Sequence, residues 1–538
     1  MRPWIGPLAI ALLLPLLCLW PGPWVATSEL LVAPDQEGAT HLWGLWAAWE
    51  TGQPLVIETT LLAAPEGARV VLVDPAHLPV FGLGAALGGV VLGYNLVLYA
   101  GLVLASLGGA ALARQAGGDP RIGALVGATC PSLVANAADG QTEGFAVGWV
   151  ALGLAALLEH RRQGGWRWGL AAALAWGAAA YGGPYNGVWA AIIGGCILVW
   201  DLRRPPQAAR TAAVLLGTAL LCLPLAQAIF TARDGALPGS AARAGLPALV
   251  EDPSIYRGGE RYGADLLDLF VPGPITGAEA PISHTAYLGV VALGAALLAL
   301  RRDRSAWPYL AGALGFSALA LGPYLFLAGS ALQVGERPLL APAGMLIVAA
   351  PTLGRLTRWY RAGAVATLLL APLVSRLPLG RPRLGIGLAV ALIVDALLLA
   401  PLQWPLHHAP PPDARALGAL PAGSVILELP LQTTAGGGPD QWRDQTGLLQ
   451  AQHGHAVGSG MMGIAPSSAA RTGQRAIEAI LRGETEQVDV PVDFTHLAID
   501  PRWRPLPAEA ARRLSQALGP PLAEGPTLIL YRIPAKTN

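Results

Sequence analysis

The chain has 538 residues, 53% of them hydrophobic and only 13% charged, with a formal net charge of +1. Soluble proteins are about 25% charged, so a water-soluble globule of this composition would lack the polar side chains to cover its surface. The near-neutral balance also gives no electrostatic basis for a nucleic-acid partner.

In chain order, Met1-Arg2-Pro3 leads into an apolar run from Trp4 to Trp24. That run ends in tryptophans and has no clear small-residue cleavage site, so it reads as an uncleaved first membrane helix. At about 20 apolar residues per crossing, further spans are predicted at Tyr94–Ala113, Ile122–Ala138, Phe145–Leu158, Trp168–Tyr181, Tyr185–Trp200, Ala212–Phe230, Ala286–Leu300, Trp307–Leu327, Ala364–Val374 and Leu384–Leu402. The total is about eleven transmembrane helices.

Arginines concentrate in short loops: Arg114 with Arg121, Arg161-Arg162 with Arg167, Arg203-Arg204, Arg301-Arg302 with Arg304, and Arg376 with Arg381 and Arg383. Retention of positive charge in the cytoplasm puts these loops and the N-terminus inside. Residues 28–78, 139–143, 182–184, 231–284, 328–361 and the tail after Pro405 then face outward. Arg355, Arg358 and Arg361 fall on the outer side against that rule. Pro338–Leu353 is therefore read as re-entrant or interfacial, since Pro342, Gly344 and Pro351 interrupt a run short for a span. The glycine-rich Ala76–Val91 is read the same way.

After Pro410-Pro411-Pro412 the pattern becomes that of a soluble α/β unit. Val425–Leu429, Thr495–Ile499 and Thr527–Tyr531 read as strands, and Ala470–Leu481 and Pro507–Leu518 as helices between them. The expected architecture is an all-α polytopic membrane domain over residues 1–408, with outer loops 28–78 and 231–284, followed by a small C-terminal α/β domain over residues 409–538. Cys18, Cys130, Cys196 and Cys222 all lie in apolar stretches, implying neither a disulfide framework nor a zinc site.

Candidate chemistry begins at Asp35-Gln36-Glu37. Beyond it, Trp43, Trp46 and Trp49, with Leu42 and Leu45, form a stripe at helical spacing that is expected to lie on the membrane with its carboxylates at one end. A carboxylate at the lipid–water boundary can serve as general base toward a hydroxyl, or hold a divalent cation that bridges a diphosphate; a solvated acidic loop with an N-capping Asp is the alternative. Asp139, Gln141 and Glu143 occupy the second outer turn, suited to sugar hydroxyls or a cation, or to a polar connection between helices. Arg355, Arg358 and Arg361 recur at helical spacing, and arginine forks match phosphate oxygens, with simple headgroup contact or a different topology as the alternatives. Asp265, Asp268 and His284 lie in the large outer loop. Intramembrane acids are scarce, Asp395 being the clearest, which argues against an ion-coupled transporter. His453-Gly454-His455 and His407-His408 lack acidic or cysteine partners and receive no metal role.

The acidic first loop, the helix after it and the outward tail resemble the GT-C class of integral-membrane glycosyltransferases of bacteria. His77-Leu78-Pro79 before Tyr94-Asn95-Leu96, Asp139-Gly140-Gln141-Thr142-Glu143, Asp265–Phe270 before Ala286-Tyr287-Leu288-Gly289, Ala320-Leu321-Gly322-Pro323 and Leu420–Val425 extend the likeness over most of the chain. The resemblance implies a sugar donor carried on a polyprenyl phosphate or diphosphate, entering from the bilayer, with transfer to an unnamed acceptor on the outer face of the inner membrane. It makes Asp35 the catalytic base and Glu37 a second acid. Asp139, Gln141, Glu143, Asp268, His284, Arg355 and Arg358 become substrate-binding residues, and Asp35, Glu37 and Glu143 the ligands of any magnesium or manganese. The other acids are scattered relative to the two-acid pattern of metal-dependent members, which leaves the metal open. The alternative from another class is a non-catalytic membrane protein for envelope polymer assembly or transport of lipid-linked intermediates.

Overall fold

The computed structural model describes residues 4–31, 38–72, 74–234, 263–271, 286–356, 358–377, 382–400, 404–411, 413–429, 431, 445–460, 466–487, 489–491, 493–501 and 506–534. The chain divides into two compact units. One comprises Met1–Ala33, Val73–Leu225 and Gly245–Ala409, the other Pro34–Leu72, Ala226–Ala244 and Pro410–Asn538.

The first unit is helical. Its main helices are Ile5–Cys18, Leu78–Gln115, Pro120–Ala128, Pro131–Asp139, Val147–Gln163, Trp166–Tyr181, Pro184–Asp201, the start of Pro205–Asp234, Val290–Arg302, Trp307–Ala320, Ala362–Val374 and Pro382–Val394. Among the described residues, Pro75–Gln115, Thr142–Gln163 and Pro205–Thr231 are long and apolar enough to cross a membrane by length and composition. Leu83, Leu87, Val199, Leu216, Leu220, Leu223, Ile386 and Val390 point outward uncovered. So much exposed aliphatic surface suits lipid and not water. Between helices the packing relies on small residues: a Cβ on Gly109 would lie 2.2 Å from Gly123 O, and one on Gly123 2.4 Å from Gly109 O. Only glycine lets these two backbones touch.

The structure departs from the predicted helix over Ile122–Ala138. It is split at Cys130, which is extended (φ −60°, ψ 112°) because Pro131 follows and disfavours helical geometry in the residue before it. Leu78–Gln115 is sharply broken at Gly88 and Gly89, the latter at φ 86°. The break folds the first arm back so closely that a Cβ on Gly84 would sit 2.6 Å from Gly93 Cα. Pro342–Ala349 has eight residues, roughly 12 Å of helix, and cannot cross a hydrocarbon core of about 30 Å.

The arginine-bearing turns are tied to one another in two groups. Arg376 Nε donates to Ala116 O (2.9 Å) and its Nη1 to Asp303 (2.6 Å), while Arg161 Nε donates to the wholly buried Asp201 (2.7 Å). Asp395 is structural: it accepts from Tyr287 OH (2.8 Å) and from Val291 N (2.8 Å), and so caps the helix Val290–Arg302 from outside. Its carboxylate satisfies one of the N–H groups a helix start leaves unpaired.

The second unit is α/β. Its five-stranded sheet runs Ala523–Glu524, Ile529–Arg532, His496–Ile499, Val425–Leu429, Ala456–Val457. Val425–Leu429 is parallel to both neighbours, and Ile529–Arg532 is antiparallel to His496–Ile499. Leu427, Leu497 and Tyr531 from the strands meet Ile477, Ile480 and Leu514 from the helices Ser468–Arg482 and Ala508–Leu518 in one core. This unit also takes in residues far upstream. The helix Gly38–Thr51 packs on Gln445–His453, and the hairpin Val56–Thr59/Ala68–Val71 follows it. Between the hairpin strands, Val457 N donates to Leu61 O (2.8 Å) and Ala64 N to Val457 O (2.9 Å), which lengthens the sheet edge.

The tryptophan stripe thus has a different cover from the expected one. Trp43 is 0% and Trp46 6% exposed inside this unit, and only Trp49, at 48%, is open. An apolar helix face announces that something covers it, without saying whether lipid or protein does.

Candidate functional site

Helix Pro131–Asp139 ends at Gly140, whose φ of 74° suits glycine and turns the chain into the short 3-10 segment Thr142–Ala146. The turn carries Asp139, Gln141 and Thr142 to the interior of the first unit, all at most 2% exposed. Tyr94 OH donates to Gly140 O and fixes the bend against the helix Leu78–Gln115.

A second turn, Trp359–Arg361, meets it and leads into the helix Ala362–Val374. Arg361 Nη2 donates to Gln141 Oε1 (2.8 Å) and pairs with Glu143 at 2.5 Å, with its side chain 4% exposed. Tyr360 OH donates to the same Gln141 oxygen at 3.3 Å. A third turn comes from the start of helix Pro184–Asp201. Tyr185 lies beneath the Arg361 guanidinium at 4.9 Å and accepts from Arg358 N (3.1 Å), and Asn186 donates to Glu143 O (2.9 Å). Trp189 packs on Trp359 at 5.7 Å and on Phe316 at 5.9 Å. From a fourth direction, Thr142 donates its hydroxyl to Asp74, which is wholly buried ahead of the turn Pro75–His77.

The cluster is rich in hydrogen atoms without acceptors. Among the described residues, Arg361 Nε and Nη1, Trp189 Nε1 and Trp359 Nε1 are buried and have no hydrogen-bond partner. An unmet buried donor costs about 1–3 kcal/mol, more on a charged group. Two of these donors sit on the guanidinium itself, an arrangement that suits a ligand with anionic oxygens.

Among the candidates read from the sequence, Asp139, Gln141 and Glu143 share this turn, and Arg358 stands close enough to Arg361 for their charges to repel. Asp268 accepts from Asp265 N, and Asp265 accepts from Leu267, Ala328 and Gly329 N–H groups, so the pair shapes the junction with the hairpin Phe326–Ala331. Arg355 ends the 3-10 turn Pro351–Arg355. Its side chain lies outside the described residues, as do Asp35, Glu37 and His284. Among the described residues no three His, Cys, Asp or Glu side chains are placed to hold a metal ion, and Glu143 is engaged by Arg361. The buried Asp74 escaped the sequence reading. Its signal, an acid before Pro75 at a helix approach, is shared with countless N-caps.

No protein-family model and no curated protein matches the sequence. Solved structures do. The arabinofuranosyltransferase AftD from Mycobacteria superposes with a TM-score of 0.53 and 17% identity, over 100% of this chain and 40% of that one. A mutant of AftD gives 0.51 and 16%, over 100% and 42%. ArnT from Cupriavidus metallidurans gives 0.41 and 12%, over 97% and 96%. The likeness to AftD is one of fold alone, and the chain spans about 40% of AftD's length.

Proposed function

We propose that this GT-C-like membrane protein is a glycosyltransferase that moves a sugar from a polyprenyl-linked donor to an envelope glycan, lipid or protein acceptor on the outer face of a bacterial inner membrane. The observation that carries the reading is Arg361, a buried guanidinium with two N–H groups unmet inside a set of aromatic and amide side chains. Phosphate oxygens are the complement of such a fork. The fold likeness to an arabinofuranosyltransferase supports the same class.

In this reading the chain crosses the bilayer about eleven times with its N-terminus inside. Residues 28–78 and the domain over 409–538 lie outside. Asp35 takes the proton of the acceptor hydroxyl as its oxygen attacks the anomeric carbon, and Glu37 is the second acid. The bond from that carbon to the phosphate oxygen breaks, and the electron pair leaves on the polyprenyl phosphate. Arg361 and Arg358 stabilise that growing negative charge, with Arg355 beside them in sequence. Asp139, Gln141, Asp268 and His284 are the candidate contacts to sugar and acceptor, while Glu143 orients Arg361. A magnesium or manganese ion would fall to Asp35, Glu37 and Glu143. Since Glu143 already neutralises Arg361, no step here runs through a metal.

The test is transfer by the purified protein in nanodiscs, offered polyprenyl-phosphate sugars. Arg361→Lys keeps the charge and loses the fork, and should lower turnover about 100-fold. Asp35→Asn should abolish it. An inserted, folded protein that neither binds nor turns over any such donor would leave the non-catalytic reading in its place, and an Arg361→Lys variant as active as the parent would remove Arg361 from the site.

A further inference from the structure

Every residue of the helix Pro131–Asp139 is buried, a costly setting for polar side chains, yet Ser132, Asn136 and Asp139 recur along it at helical spacing and share one face. Several other buried hydroxyls and amides of the same unit are met. Ser106 Oγ donates to Ala124 O (2.8 Å) and Ser317 Oγ to Ala313 O (2.8 Å), and Asn95 accepts from Leu31 N (3.1 Å) while donating to Ala26 O (3.0 Å) and Glu29 O (2.8 Å). Ser132 Oγ and Asn136 Oδ1 are the contrast, since both are buried without a hydrogen-bond partner. Ser317 bonds the carbonyl four residues back. For Ser132 that carbonyl, Ala128 O, lies across the break at Cys130 and accepts from Cys18 Sγ (3.6 Å) instead.

These two groups stand beside the Arg361 cluster. Asn136 O accepts from Gln141 N (3.0 Å), the residue whose side chain receives Arg361. A Cβ on Gly144 would lie 2.7 Å from Asn136 Nδ2, so this amide rests against the segment that carries Glu143. Ser132 is one turn, roughly 6 Å, further along the helix. The unmet groups around the turn are therefore of two kinds. Arg361 Nε and Nη1 are donors that call for anionic oxygen, whereas Asn136 Oδ1 can only accept and calls for a hydroxyl. An ionised phosphate supplies the first and has no hydrogen for the second. A sugar phosphate supplies both.

We propose that Asn136 and Ser132 form the sugar subsite, each bonding a hydroxyl of the sugar whose phosphate Arg361 holds. The proposal rests on the reading of Arg361 as the phosphate site. It goes further by naming the residues that tell a sugar-bearing lipid from the bare lipid phosphate.

The experiment measures binding to full-length protein in nanodiscs of bare polyprenyl phosphate and of the same lipid carrying glucose, mannose or a pentose, alongside thermal unfolding without added lipid. Asn136→Leu keeps the branched shape and removes the acceptor, and Ser132→Ala removes one oxygen. The parent should bind at least one sugar-bearing lipid more tightly than the bare one. Asn136→Leu should weaken that lipid about 10-fold and Ser132→Ala about 3-fold, with bare-lipid affinity unchanged in both. Lipid-free, neither variant should unfold at a lower temperature than the parent, because a group without a partner has no bond to lose. Parental affinity for the sugar-bearing lipid in both variants, an equal loss for both lipids, or a lowered unfolding temperature in both would overturn the subsite and leave the Arg361 reading standing. A parent that binds no sugar-bearing lipid more tightly than the bare one would overturn it as well. If Arg361→Lys binds both lipids like the parent, the phosphate site fails first and the subsite with it.

Discussion

Two buried glutamines, Gln141 in the membrane unit and Gln450 in the C-terminal unit, are 1% and 0% exposed, yet they anchor networks of opposite character. Around Gln450 the amide is saturated by two carbonyls and an indole. Around Gln141 the bonds run inward from Arg361 and Tyr360, and Arg361 still presents Nε and Nη1 with nothing to receive them. A closed network holds a fold together, while one built with donors to spare is organised around something that arrives later. That asymmetry is why the proposed site is placed at Arg361.

The largest effect that would break the comparison is at Glu143. Glu143→Gln leaves the Arg361 cation buried without its counter-charge and should destabilise the membrane unit by about 3–5 kcal/mol. Thermal unfolding in detergent measures it. A bound anionic lipid such as polyprenyl phosphate should recover part of the loss, because its charge replaces that of Glu143. A variant as stable as the parent would mean that the pair contributes little and that the site is not electrostatically closed on one side. The matching change in the closed network, Gln450→Leu, should cost about 3 kcal/mol by orphaning Trp43 Nε1 and two carbonyls. Here the same lipid should restore nothing. Equal rescue in both variants would erase the distinction.

Helices of the first unit are legible where a segment is an apolar run, while the break at Cys130, which Pro131 causes, falls inside a stretch that periodicity reads as one helix. The polar turn from Asp139 to Glu143 was visible as a composition change, and Arg361 as a charge on the wrong side of the topology. Their pairing was not visible, since it joins positions 218 apart and depends on how the helices pack. Gln450 carried no signal at all: a single amide in a polar region is ordinary until its burial is known. The stripe of Trp43 and Trp46 was read from its period, yet period reports a face and not its cover. Asp74 shows the same limit for acids.

Acid separates the units by a smaller effect. Burial, with the His455 ring stacked at 5.5 Å adding repulsion, pushes the His453 imidazole from 6.5 down to about 3. Its Nδ1 accepts from His455 N (2.9 Å), a bond only the unprotonated nitrogen can make. The folded state therefore stays neutral while the unfolded chain takes up a proton below about 6.5, so stability is full above that pH and declines as pH falls toward 3. Between pH 7 and pH 5 the loss is about 2 kcal/mol for this one group. Burial lowers His496 as well, adding with the same sign. Denaturant midpoints of the C-terminal unit, followed by a local probe, should drop over this interval in the parent and less in His453→Phe. Identical pH slopes in the two proteins would remove His453 from the account.

The smallest effect tests whether the upstream segment is truly a part of the C-terminal unit. Glu66 is exposed, and one of its carboxylate oxygens accepts from Ser468 N (2.8 Å) and Ala469 N (3.4 Å) at the start of the helix Ser468–Arg482. These are N–H groups that the helix itself cannot satisfy, and they lie at its positive end. Glu66→Gln keeps an acceptor and removes the charge, so it should cost about 0.3–1 kcal/mol, shrinking as added salt screens the dipole. Glu66→Ala removes both and should cost about 1 kcal/mol with a remainder that salt does not erase. The two variants thus divide the contact into a charge part and a hydrogen-bond part. If both match the parent at low salt, the contact of Glu66 with the helix Ser468–Arg482 contributes nothing to stability.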